Sequence, residues 1–133
     1  MIHEELTGEI IGAFYEVYNT LGYGFLEQVY QNALYKELLE MGLKCVPQQK
    51  IEVYYKGSLV GRYVADIIVE DIVVLELKAV SQLLPEHECQ LVNYLKATEI
   101  EVGLLLNFGK KAEVKRRILT KDFQFEESFE DNE

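Results

Sequence analysis

Asp66 stands inside one apolar run, Ala65-Asp66-Ile67-Ile68-Val69, and Glu76 and Lys78 close the next, Ile72-Val73-Val74-Leu75-Glu76-Leu77-Lys78. Charged side chains in such surroundings are costly unless they pair with one another or hold a metal. Two carboxylates with neighbouring backbone carbonyls make a hard-oxygen site of the kind Mg²⁺ or Mn²⁺ takes. A lysine beside them can hold a phosphate oxygen or the water that attacks phosphorus. The chemistry such a trio serves is metal-assisted hydrolysis of a phosphodiester.

Whether the three groups converge depends on strand register. Glu76 and Lys78 are two residues apart on one strand and share a face. A two-residue turn at Glu70-Asp71 would set Asp66 opposite Leu75 and send Asp66 and Glu76 to opposite faces. A three-residue loop, or a bulge, sets Asp66 opposite Glu76 and brings all three together. The chemistry therefore predicts an odd register between Asp66 and Glu76.

The elements that would position them are legible from periodicity. Apolar residues at helical spacing predict one helix over residues 3–20, stopped at Leu21-Gly22-Tyr23-Gly24, and a second from about Leu26 to Met41, ended by Gly42. Strands follow at Val46 to Tyr55, Leu59 to Val69 and Ile72 to Lys78, with Lys56-Gly57-Ser58 and Glu70-Asp71 as turns. The third is dense in Ile, Val and Leu, as in a central strand covered on both faces. Pro85 opens a helix running to about Ala97, with Ser81 or a neighbour near its cap. Glu101 to Phe108 reads as a fourth strand, and Glu113 to Leu119 as either a last strand or a short helix. This order is that of an α/β domain with helices on a mixed sheet.

A chain of 133 residues, nearly half of them apolar, forms one domain with a real core. Residues 1–125 read as that domain and the acidic segment 126–133 as a disordered tail. No apolar stretch is long enough to cross a membrane, no signal peptide is read, and Cys45 and Cys89 are isolated, which together predict a cytoplasmic protein. The net charge of −10 is the wrong sign for a nucleic-acid binder. Five of the acids lie in the tail, however, and Lys110, Lys111, Lys115, Arg116, Arg117 and Lys121 cluster with Glu113 alone among them. By default such a cluster is a solvated face; its functional reading is a contact to a phosphate backbone.

Other chemistries fit less well. His87-Glu88 begins a zinc-protease motif, but Leu91 stands where the second histidine is needed, so His87 reads as a structural or site-rim residue. Gly22-x-Gly24 follows a helix and not a strand, which excludes a dinucleotide loop. Paired carboxylates also serve glycosidases, but the chain has no tryptophan and no sugar platform stands out.

Asp66-x9-Glu76-Leu77-Lys78 resembles the PD-(D/E)xK nuclease signature, with Ala65 in place of the proline. Gly24-Phe25-Leu26-Glu27-Gln28-Val29-Tyr30 resembles the GxxExxY pattern of a small family in that superfamily. His87 to Tyr94 is similar to its HxxQxxxY segment, and Gln90-x3-Tyr94 to the QxxxY motif of RecB-like nucleases. The match runs from about residue 3 to residue 119. It implies a restriction-endonuclease-like three-layer fold, a mixed central sheet of four to five strands flanked by helices. It further implies Mg²⁺ or Mn²⁺ held by Asp66, Glu76, the Leu77 carbonyl and Glu27, and Lys78 acting on the attacking water. Gln90 and Tyr94 would support the site or touch phosphate. Tyr30, His87, Lys110, Lys111, Lys115 and Arg116 would contact substrate. The implied partner is nucleic acid, DNA first and RNA as the alternative, and a C2 homodimer would supply one site per strand. The competing reading is a binding or assembly module on the same scaffold.

Overall fold

The computed structural model describes residues 2–121 and the backbone of residues 128–132. Two helices, α1 (Glu4–Leu21) and α2 (Glu27–Glu40), precede three strands, β1 (Cys45–Tyr55), β2 (Ser58–Val69) and β3 (Val73–Lys78). Helix α3 (Pro85–Ala97) then leads to β4 (Val102–Phe108), β5 (Ala112–Leu119) and β6 (Ser128–Asn132). The strands form one sheet in chain order from β1 to β6. Among the described residues only the β3–β4 pair is parallel, because α3 carries the chain back across the sheet between them.

Each face of the sheet has its own core. Ile10, Phe14 and Val17 of α1 and Tyr30, Leu34 and Leu38 of α2 pack on Ile67, Val69, Leu75, Leu77, Leu104 and Leu106. On the opposite face Leu91, Tyr94 and Leu95 of α3 cover Ala65, Ile68, Val74 and Leu105. This is the three-layer α/β arrangement with a central mixed sheet that the sequence predicts. β3 and β4 are buried along almost their whole length, which explains why both read as unbroken apolar runs. Gly103 lets α3 approach closely: a β-carbon there would meet Leu91 Cδ1 at 2.7 Å.

The structure settles the last apolar segment as a strand, β5, and adds a sixth strand to the four or five expected. β6 occupies part of the segment read as a disordered tail; Glu126, Glu127 and Glu133 lie outside the described residues. Without β6, β5 would end the sheet with a row of unpaired backbone groups. The backbone register sets Glu130 opposite Arg117 and Asp131 opposite Arg116. Among the described residues no helix is long and apolar enough to cross a membrane.

Candidate metal and phosphate site

The β2–β3 register has the odd spacing the chemistry requires. Ile67 pairs with Leu75, Ile68 with Val74 and Val69 with Val73, which leaves a three-residue loop, Glu70-Asp71-Ile72, and brings Asp66 opposite Glu76. Glu70 and Asp71 both take left-handed backbone angles, with φ of 55°. Ties to Lys44, just before β1, fix the loop. The Glu70 N–H donates to the Lys44 carbonyl at 2.7 Å, the Lys44 N–H donates to the Glu70 carboxylate, and the Lys44 ammonium pairs with Asp71 at 2.8 Å.

Beyond Ile67 the backbone ladder gives way to a side chain. The Leu77 N–H donates to Asp66 Oδ2 at 2.7 Å, so the carboxylate stands where the next strand partner would be. Glu76 is buried on the α3 face, 4% exposed. Lys78 follows on the same face, its Nζ 3.8 Å from Glu76 Oε1.

From α3, Tyr94 reaches the same spot. It is 2% exposed, and its hydroxyl faces the Glu76 carboxylate and the Gln90 side chain. Its ring meets Tyr63 of β2 edge-on, with centroids 5.4 Å apart. Gln90 and Tyr94 are one turn apart, so a relay runs Gln90–Tyr94–Glu76.

The electrostatics describe a site short of positive charge. Burial and the neighbouring Asp66 carboxylate push Glu76 up to about 8, against the pull of Lys78. Burial also raises Asp66, although the Leu77 N–H, Glu76 and Lys78 work the other way. Burial, with the negative charge of Glu76 and Asp66, raises the Tyr94 phenol and keeps its proton in place. Glu76 Oε2 is buried with no hydrogen-bond partner, a costly state for an anionic oxygen. Two adjacent hard oxygen donors, with one Glu76 oxygen lacking a partner, fit a divalent cation. Among the described residues no group of three or more His, Cys, Asp and Glu side chains could hold a metal. Any cation held there would have two carboxylates, and its other ligands would be the Leu77 carbonyl, water or phosphate oxygens, as Mg²⁺ commonly accepts.

Not every residue expected at the site meets the pair. Glu27 is exposed at the first residue of α2, a helix that packs on the other face of the sheet. Tyr30 is fully buried; its hydroxyl donates to the Gly22 carbonyl at 2.6 Å and accepts from the Phe25 N–H at 3.2 Å. It has no surface for a substrate and instead braces the loop before α2. His87 caps α3: its Nδ1 accepts from the Leu84 N–H and its own N–H donates to the Leu84 carbonyl. The N-cap residue is accordingly Leu84, not Ser81.

The basic cluster also divides, because a strand sends successive side chains to opposite faces. Lys115 and Arg117 reach Glu88 of α3 at 2.5 and 2.6 Å. Burial raises Glu88, but the two cations more than offset it and hold its carboxyl below the ordinary range. Arg116 lies on the other face, 4% exposed. Lys110 and Lys111 remain exposed in the β4–β5 turn. The expected single basic face is therefore not formed.

Asn107 has a role the sequence reading did not give it. It is fully buried. Its side chain accepts from the Val80 N–H at 3.0 Å, donates to the Val80 carbonyl at 2.9 Å and donates to Glu113 at 2.9 Å. This clamp fixes the chain as it leaves Lys78. A lone amide inside Leu104-Leu105-Leu106-Asn107-Phe108 was the available signal.

A family model described as the PD-(D/E)XK nuclease superfamily matches residues 4–118. Neither a curated protein nor a solved structure matches the chain significantly.

Proposed function

Because this chain belongs to the PD-(D/E)XK nuclease superfamily, we propose that it is a divalent-metal-dependent nuclease acting on DNA, with RNA as the alternative substrate. The observation that carries this reading is the facing pair Asp66 and Glu76, with an unpartnered oxygen on Glu76 and the Lys78 ammonium 3.8 Å away. When bound there, Mg²⁺ or Mn²⁺ would supply Lewis-acid stabilisation of charge on the phosphoryl oxygens. Asp66, Glu76 and the Leu77 carbonyl would hold the cation. Lys78 would donate a hydrogen bond to the attacking water and to the phosphoryl oxygen on which charge builds. The Tyr94 hydroxyl, held protonated, would orient Glu76, as outer groups orient metal ligands. Glu27 would reach the site through water or through substrate. Within the superfamily the motifs favour the GxxExxY family and the RecB-like QxxxY group. The free cysteines Cys45 and Cys89 suit a reducing cytoplasm, and a homodimer would pair two sites.

The test is cleavage of labelled single- and double-stranded DNA and of RNA with Mg²⁺ or Mn²⁺, beside Asp66→Ala and Lys78→Ala. Metal-dependent cutting by the wild type, reduced at least about 100-fold in both variants, is expected. Wild-type cutting no faster than that of both variants would overturn the proposal. The net charge of −10 favours a second reading, an assembly module that binds without cutting. Metal binding with no turnover on any of the three substrates would select it.

A further inference from the structure

A cleft of about 370 Å³ opens beside the site, lined by Tyr23, Phe25 and Leu26 from the loop before α2 and by Val80 and Lys110 opposite. Val80 is two residues past Lys78 in the chain, so the cleft lies on the segment that leaves the candidate site. Tyr23, Phe25 and Leu26 are 57, 48 and 80% exposed. Such exposure would be unremarkable on a loose loop, but this loop is braced. The Tyr30 hydroxyl ties Gly22 to Phe25, the Phe25 ring stands edge-on to Tyr30, and Tyr30 stacks on the buried Phe108 at 4.3 Å. The cation side is braced as well. The single Tyr18 hydroxyl proton is shared between the Gly109 and Lys110 carbonyls, both 2.8 Å away, which holds the turn that carries the exposed Lys110 and Lys111.

We propose that this cleft binds single-stranded nucleic acid, Tyr23 and Phe25 stacking on bases and Lys110 and Lys111 meeting the phosphates between them. The proposal rests on the nuclease reading and names its substrate class. Exposed rings next to cations suit unpaired bases, each of which offers a π-face. A duplex hides those faces within its own stack and must be held mainly by its phosphates. A chain with a net charge of −10, whose basic cluster is divided between two faces of a strand, holds a duplex poorly. A strand stacked in the cleft would continue past Val80 and bring its next phosphate toward Lys78 and the carboxylates.

The test is fluorescence anisotropy with a labelled strand of about 12 nucleotides and its duplex, in EDTA, for wild type, Tyr23→Ala, Phe25→Ala and Phe25→Trp. The expected result is tighter binding of the single strand and an about tenfold loss in each alanine variant, confined to the single strand. Phe25→Trp, which keeps a stacking face, should restore the affinity. Equal losses on strand and duplex, or none on either, would overturn the proposal. So would a dimer, seen by light scattering, that Phe25→Ala turns into a monomer, because the face would then belong to a second copy. Metal-dependent cutting with no effect of the ring variants would sink this inference and leave the nuclease reading standing. Ring-dependent binding without any cutting would do the reverse.

Discussion

Glu76 is the residue on which the site turns. In the unfolded chain its carboxyl titrates near 4.5, while burial and Asp66 push it to about 8 in the fold. Between those values the folded chain holds a proton that the unfolded chain releases, so folding stability falls as pH rises from 4.5 toward 8. Glu76→Gln removes that liability. In EDTA it should exceed the wild type in stability near pH 8 and match it near pH 4, as thermal denaturation across pH would show. Tyr94→Phe keeps the buried ring and loses only the hydroxyl facing Glu76. It should fold normally and bind Mn²⁺ about tenfold more weakly, read by titration calorimetry. Unchanged affinity would mean that the phenol does not orient the carboxylate. Asp66, Glu76 and Lys78 were legible in the sequence because charges inside apolar runs demand a reason. Asn107 obeys the same rule. The pairing of Lys115 with Glu88 was not legible, since a charge run does not reveal which helix will pack over it.

At the scale of elements, the odd register between β2 and β3 was deduced from chemistry: a three-residue loop or a bulge would set Asp66 opposite Glu76, and the structure has the loop. Its cause, the ties from Lys44 to Glu70 and Asp71, lies 26 or more residues away in sequence and leaves no local signal. The final strand was ambiguous for a related reason, because β5 carries polar residues on both faces and finds their partners only after α3 docks. That docking depends on Gly103. Gly103→Ala pushes a methyl group into the fully buried Leu91 and should cost about 1–3 kcal/mol. A lower melting temperature together with weaker metal binding is expected, since α3 carries Gln90 and Tyr94. A melting temperature equal to that of the wild type would show that Leu91 repacks freely and that α3 is not held so tightly.

For the whole molecule, the architecture follows from two amphipathic helices before a strand-rich stretch and one helix inside it, so the three layers were readable. The sixth strand was not, because an acidic sequence of low hydrophobicity resembles a tail until a basic edge strand is known to await it. The same acidity shapes the account of binding. Affinity for duplex should be weak and should fall steeply with salt, whereas binding carried by stacked bases should depend on salt less. Affinities measured between 50 and 200 mM salt, spans of the order over which phosphate contacts lose most of their strength, would separate the two.

Calorimetric titration of Mn²⁺ into the metal-free protein at pH 7 decides whether Asp66 and Glu76 form one cation site. About one ion per chain should bind, with proton release because Glu76 holds its proton to about 8, and both signals should be lost in Asp66→Ala and Glu76→Gln. Absence of binding in the wild type, or binding of equal strength in both variants, would contradict such a site.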